Sequence, residues 1–391
     1  MNKGPIRIAV VIPTYSFLGG AERYAAELTE RLARRGNYHF DVFAYRSGVP
    51  PQDNVTFHPI PALPFPRFLR TPGFAWLVAR RLAGVAPDLI HTHERIREAD
   101  LFTLHGVPHD FWVRKVRQKR PSLYDRATIA VERQLVSHPR CRRFCALSGL
   151  TKEVFLQTYP LTAERIAIIP PGVDTPPISE EERRVCRREI RDRFNLDREV
   201  PLALFVSMNF EIKGLDVLLE GLAALKQRQP GAACHLIVAG KGNVGKYRGI
   251  AQALGIGALV HFTGVLTPEA LRRAYLGADA YAMLSTFDTY GMVVLEAMAA
   301  GLPVLISSNV GARDLVIEGS NGFVLAPAAA PAAIADRLAA LVSPDNQRAM
   351  SHHALETARN HSWEVVADRT EIIYEDILRE RMADRKGRPG W

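Results

Sequence analysis

Four cysteines in 391 residues are too few and too scattered to frame a disulfide-stapled fold. Cys141-x3-Cys145 has no second pair to complete a zinc site, so Cys141, Cys145, Cys186 and Cys234 read as reduced thiols. No apolar run approaches the ~18–20 residues that a membrane span needs. Met1-Asn2-Lys3-Gly4-Pro5 leads straight into a strand without a secretory h-region, and the expected location is cytoplasmic, peripheral on the inner face of the membrane. A D-x-D metal cluster is missing, and no divalent cation or other cofactor is expected. Repeats are absent, and biased composition is confined to the Ala/Pro stretch from Leu325 to Ala333. Acid is in short supply. Against 50 Lys and Arg stand 41 Asp and Glu, and the net charge of +9 favours an anionic partner: nucleic acid, anionic membrane or phosphorylated substrate.

What is present is an ordinary globular composition, 47% hydrophobic and 23% charged, long enough for two α/β domains. Ile6 to Pro13 is a near-continuous apolar run, as a central parallel strand requires. It ends at Gly19-Gly20, before an amphipathic helix from Ala21 to Arg35. Strands follow at His39–Ala44 and Val55–Ile60, then a proline-rich connection from Pro59 to Pro72 and a helix over Phe74–Leu82. Asp88-Leu89-Ile90-His91-Thr92-His93 reads as a buried strand whose carboxyl end presents His93 and Glu94, and His105-Gly106 follows a short strand from Asp100. The prolines between Thr175 and Ser179 mark a linker. The second half repeats the pattern, with strands at Leu202–Met208 and His235–Gly240, a hairpin-like strand at Asn321–Val324, and terminal helices. The expected domains are residues 1–177, residues 178–364, and a terminal helix with a loose tail over 365–391.

The chemistry is concentrated between Leu284 and Pro303. A buried strand runs into a polar turn, and an apolar helix begins near Gly291 and stops at Gly301, with Pro303 blocking its continuation. The amides of Gly291, Met292 and Val293 lack intrahelical partners there, and the helix dipole adds partial positive charge, so an anion or a sugar oxygen can dock. Asp288 precedes this helix start. Glu296 lies more than one turn inside an otherwise apolar helix, where an unpartnered charge is costly. A second helix start carries Lys213 in Asn209-Phe210-Glu211-Ile212-Lys213-Gly214, a point charge suited to a diphosphate.

An acid, seven residues and then Glu in L-E-A-M-A-A-G-L-P-V resembles the signature of retaining glycosyltransferases of family 4. So do Gly19-Gly20-Ala21-Glu22-Arg23, the I-H-x-H at His91 and His93, and Pro170-Pro171-Gly172-Val173-Asp174. The resemblance implies the α/β architecture called GT-B: two Rossmann-like domains facing each other across a cleft, with the last helix crossing back to the first. It implies transfer of a hexose, with retention, from a nucleotide sugar to a hydroxyl. Asp288 should then contact the donor hexose, Glu296 the ribose, Lys213, Gly19 and Gly20 the diphosphate, and Gly264 and Val265 the base. Glu22 and His105 would serve the acceptor, and His93 the transfer. Two positions depart from the pattern: Asp288 stands where Glu is usual, and Met208 and Ile212 stand where an Arg normally accompanies the Lys. F-E-I-K-G-L-D and I-I-P-P-G-V-D point within the family toward lipopolysaccharide-core enzymes and a UDP-hexose donor, UDP-glucose first.

From Phe111 to Arg120 two aromatics accompany five cations and no acid. Phe111, Trp112, Arg114, Lys115 and Arg117 read as a grip on anionic lipid headgroups around a lipid-linked acceptor. The competing readings are a solvated helix face, a noncatalytic membrane or nucleic-acid binder on the same frame, and a nucleotide-sugar epimerase or phosphorylase. A nicotinamide dehydrogenase fits least, because neither the Gly19-Gly20 turn nor the Lys213-Gly214 turn carries G-x-G-x-x-G with an acid about 20 residues on. No nucleic-acid partner is expected.

Overall fold

A computed structural model describes residues 5–62, 65–229 and 234–386. The chain divides into two compact units, Met1–Gly172 together with Trp363–Trp391, and Val173–Ser362.

In the first unit, strands β1 (Ile6–Val11), β3 (Tyr38–Ala44), β5 (Val55–Pro59), β6 (Leu89–Thr92), β7 (Leu101–Leu104), β8 (Arg143–Ala146) and β9 (Ile166–Ile168) form one sheet, ordered β5-β3-β1-β6-β7-β8-β9. Every pairing is parallel. A parallel sheet needs cover on both faces, and the inner strands accordingly run apolar with little alternation. Edge strand β5 is more exposed and ends on Pro59, a residue without an amide to pair. Two short strands, β2 (Thr14–Tyr15) and β4 (Arg46–Ser47), pair beside it. The helices here are α1 (Gly20–Arg34), α2 (Arg70–Val85), the single turn α3 (His109–Phe111), α4 (Leu123–Ser137) and α5 (Gly149–Thr158). In α1 the buried Tyr24, Ala25, Leu28 and Leu32 recur at helical spacing and form its sheet-facing stripe. Ser122 and Asp125 close a reciprocal capping box at the start of α4. The expected connection before Phe74 turns helical at Arg67, where a 3-10 turn at Arg67–Leu69 runs directly into α2.

The second unit holds β10 (Leu202–Ser207), β11 (His235–Gly240), β12 (Val260–Gly264), β13 (Ala280–Met283), β14 (Val304–Ser307) and β15 (Gly322–Leu325), in the order β12-β11-β10-β13-β14-β15. Its helices are α6 (Glu180–Arg193), α7 (Leu215–Arg228), α8 (Val244–Ala253), α9 (Pro268–Gly277), α10 (Met292–Ala299), α11 (Pro331–Val342) and α12 (Pro344–Arg359). The strand after Asn321 is not half of a hairpin. It lies parallel to β14, Val304 opposite Gly322, because Gly311–Leu315 forms a 3-10 turn that carries the chain back across.

The final helix α13 (Trp363–Lys386) belongs to the first unit. Trp363 is buried edge-on to Tyr24 at 5.7 Å, and the Tyr374 hydroxyl bonds His91 Nδ1 at 2.7 Å. Arg35 pairs with Glu364, Asp368 and Glu371 along the same face. The tail expected to be loose from Met382 is helical to Lys386, and residues 387–391 lie outside the described residues.

Candidate active site

Ligands of open parallel sheets bind beyond the carboxyl ends of the strands, where the strand order reverses. In the first unit that point falls at β1, flanked by β3 and β6, and the loops concerned carry Gly19-Gly20 and His93. In the second it falls at β10, flanked by β11 and β13, whose loops carry Lys213 and Asp288. Topology alone thus gathers the residues that the sequence singled out.

Lys213 and Asp288 form an ion pair, both largely buried. Two loops are stitched together to make it. Ile212 O accepts bonds from Thr286 N at 2.8 Å and Ser285 Oγ at 2.9 Å, and the Gly214 backbone lies against Leu284. Gly214 has φ of 69°, and a Cβ there would fall 2.0 Å from Leu284 O, so glycine is the residue this approach allows. Asp288 is further fixed by its own backbone, its amide donating to Asn309 O at 2.9 Å, while its Oδ1 accepts from Tyr290 N at 3.2 Å. The shorter carboxylate at 288 is therefore held by the cation and by the turn.

Gly291 caps α10 with φ of 87°, and an added Cβ would sit 2.9 Å from Val310. Met292 and Val293 are half-buried at the helix start, where their amides have no intrahelical acceptor. Glu296 is half-buried one turn on and accepts a bond from the Tyr275 hydroxyl at 3.3 Å. Tyr281 lies in β13, its ring centre 6.4 Å from that of Tyr275. Its hydroxyl is buried with no partner among the described residues, and burial first, then the charges of Asp288 and Glu296, push its phenol well up.

In the first unit Gly19 caps α1 with φ of 88°, and Glu22 folds its carboxylate back toward it, so a Cβ on Gly19 would meet Oε2 at 2.6 Å. Gly20 opens α1 beside it and is exposed. His93 Nδ1 and His105 Nε2 lie 2.8 Å apart and share one proton, while His93 Nε2 is buried without a partner among the described residues. Burial, then the neighbouring His91 and His105, holds the His93 imidazole neutral, well below its ordinary value. His91 behind it is pushed down to about 3, again by burial first and His105 second. In the unfolded chain these imidazoles titrate near 6.5, so below that pH the unfolded state binds protons that the folded state refuses, and stability falls with falling pH. For His91 alone the slope between pH 6 and pH 4 should be about 1.4 kcal/mol per pH unit. Denaturant titrations of the wild type and His91→Gln check this: the variant should lose one proton's worth of slope, and an unchanged slope contradicts it.

The basic segment differs from its expected form. Phe111 and Trp112 are half-buried, because Trp112–Val116 winds as a π-helical turn that tucks Val113 inside. Arg114, Lys115 and Arg117 are exposed, and Arg114 pairs with Asp110 at 2.8 Å, an acid just outside the window considered above. The exposed apolar side chains come from elsewhere: Phe65 (86% exposed), Phe68 (42%) and Leu123 (69%). Arg67 stacks over Tyr124 at 5.0 Å and His109 bonds Asp125 at 2.9 Å, so both segments flank the start of α4.

Val265, beyond Gly264 (φ 73°), is 63% exposed at the end of β12, and Met208 is 65% exposed where a cation is usual. The end of the neighbouring strand carries a cation. Lys241 follows β11, is exposed, and donates its amide to Ser207 O at 2.9 Å. It sits in Gly240-Lys241-Gly242-Asn243-Val244-Gly245, which spells G-x-G-x-x-G, and from the sequence Gly240-Lys241-Gly242 reads as a phosphate-side or a structural turn. Packing accounts for the first two glycines: a Cβ would come 1.8 Å from Ser207 O at Gly240 and 2.2 Å from Phe210 at Gly242. No acid follows about 20 residues on, as a dinucleotide site would need. Lys241→Ala should lower kcat/KM roughly tenfold through one lost charge-assisted bond to phosphate. Steady-state kinetics decide, with unchanged kinetics counting against it. Among the described residues no three His, Cys, Asp or Glu side chains group as metal ligands.

Residues 187–361 match the family model of glycosyl transferases group 1, and residues 18–176 match that of glycosyltransferase family 4. The chain is a GT-B glycosyltransferase of group 1 and family 4. Similar curated proteins include the D-inositol 3-phosphate glycosyltransferase of Corynebacterium jeikeium, 26% identical over 397 residues and 92% of each chain. That of Corynebacterium glutamicum is 30% identical over 232 residues, 58% of this chain, and there the match spans about half of the relative, 55%. Among solved structures, WaaG, a glycosyltransferase involved in lipopolysaccharide biosynthesis, superposes with a TM-score of 0.74 at 22% identity, covering 94% of this chain and 99% of WaaG. HepE of Anabaena in complex with UDP and glucose gives a TM-score of 0.71 at 17% identity, covering 95% and 100%. Both likenesses concern the fold.

Proposed function

We propose that this glycosyltransferase moves a hexose, glucose first, from a UDP-linked donor to an acceptor hydroxyl with retention and without a required metal. The observation that carries the reading is the second unit's Lys213–Asp288 pair, set beside the open amides of α10 with Glu296 one turn inside. Lys213 and Lys241 take the diphosphate, Asp288 the hexose hydroxyls, Glu296 the ribose, and Gly264 and Val265 the base. With both acids committed to hydroxyls, no carboxylate is placed as nucleophile for a double displacement. The departing diphosphate takes the acceptor proton on the same face, and Lys213 and the α10 amides stabilise its growing charge. His93, neutral and with an open Nε2, accepts a bond from the sugar.

The acceptor is lipid-linked, a lipopolysaccharide core in the specific reading, presented at an anionic membrane. Exposed Lys115 and Arg117, and the exposed apolar Phe68 and Leu123, on segments that flank the start of α4, support that surface. An Arg114/Lys115/Arg117 triple alanine should bind phosphatidylglycerol vesicles roughly 30–150-fold more weakly at about 1 kcal/mol per cation, the lower end reflecting the Asp110 pair. Equal sedimentation of both proteins removes the membrane claim. The names of the curated relatives favour a second acceptor, a phosphorylated polyol such as inositol phosphate. Incubation with UDP-, GDP- and ADP-glucose, each with a core oligosaccharide or inositol 3-phosphate, separates these. Product from UDP-glucose with the core supports the first reading. Product only with the inositol phosphate replaces it, and no product with any donor overturns transfer.

A further inference from the structure

We propose that a cavity at the amino-terminal edge of the first unit's sheet binds the phosphate group of a small phosphomonoester, at a site separate from that of transfer. The cavity has a volume of about 600 Å³, within the range of small-molecule sites. Arg133, His138, Arg142, Arg143 and Arg165 line it, with Tyr159, and no acid does. These residues precede β8 and β9 or end α4, so they lie at the strand starts, whereas Gly19, His93 and His105 follow strand ends.

A solvated basic surface would leave such side chains loose, and here Arg142, Arg143 and Arg165 are held. Arg165 donates through Nε to Arg142 O at 3.3 Å and through a terminal nitrogen to Cys141 O, with its guanidinium 5.3 Å from the centre of the Phe144 ring. Arg142 and Arg143 are balanced by Glu380 and Asp384 of α13. Arg142 Nε is nonetheless buried without a partner among the described residues. Neither Arg165 nor Arg133 has a carboxylate partner among those residues, which leaves two arginine charges unopposed. A phosphomonoester dianion supplies two negative charges and several acceptors, and the remaining volume accommodates a sugar-sized group.

Isothermal titration at constant ionic strength tests this with glucose 6-phosphate, inorganic phosphate and glucose, on the wild type, Arg165→Met and Arg133→Ala. Arg133 is exposed, so its replacement leaves the fold intact. Glucose 6-phosphate and phosphate should bind the wild type and glucose should not, and each variant should weaken binding at least tenfold while UDP binding stays unchanged. Absence of phosphate binding, or equal binding by both variants and wild type, overturns the proposal. Phosphatidylglycerol vesicles that bind the wild type alone, with soluble phosphates silent, would assign the cavity to a lipid headgroup and overturn it as well. No readout depends on turnover, so failure of the transferase reading leaves this result interpretable.

Discussion

Replacing Lys213 with alanine should lower kcat about 10²–10³-fold, the loss seen when one preorganised donor to a developing negative charge is removed. On the proposed reading, charge grows on the departing diphosphate in the transition state, so the ammonium matters more to kcat than to KM. Met208 and Ile212 stand where a second cation is usual, so on this reading the clamp rests on Lys213 at the helix start, with Lys241 from the neighbouring loop. The ion pair adds a second consequence. Without Lys213 the largely buried Asp288 loses its cation, and its carboxylate keeps the bond from Tyr290 N in a turn still tied by backbone bonds and by Ser285 Oγ to Ile212 O. Steady-state kinetics with UDP-glucose would read the effect, and a kcat within threefold of wild type would remove Lys213 from the chemistry.

Asp288→Asn should cost about 10²-fold in kcat/KM, carried by KM as well as kcat. The isosteric amide keeps the bond from Tyr290 N but loses both the ion pair and the charged acceptor for hexose hydroxyls, and hydrogen bonds to charged groups contribute about 1.5–3 kcal/mol. Because the two side chains touch, their effects should not add. The Lys213→Ala/Asp288→Asn double variant should be far less impaired than the product of the single losses. Strict multiplicativity would mean that the pair does not act as a unit.

The alternation of apolar strands and amphipathic helices made both sheets readable, because parallel strands buried on both faces carry almost no polar interruption. The start of α10 was equally plain: Gly291, the single acid Glu296 and the Gly301-Leu302-Pro303 stop are local signals. The partnership of Lys213 with Asp288 was not local. Those residues are brought together by the register of β10 on β13, Ala203 against Ala280, which no window of sequence contains. The direction of β15 was misread for a similar reason, since a polar Asn-Gly turn looks alike before a hairpin and before a parallel strand. Phe111 and Trp112 read as surface residues in the sequence because a π-helical turn shifts the side-chain periodicity that would show them half-buried. An exposed apolar side chain on a segment that flanks α4 comes instead from Phe68, far back in the chain.

The most direct test compares UDP with 2′,3′-dideoxy-UDP by isothermal titration on the wild type and on Glu296→Ala. If Glu296 grips the ribose, the wild type should prefer UDP by roughly 10–100-fold, one hydrogen-bonded charge's worth, and the variant should bind both nucleotides equally. A Glu296→Ala protein that keeps the wild-type preference for the ribose hydroxyls would contradict the account.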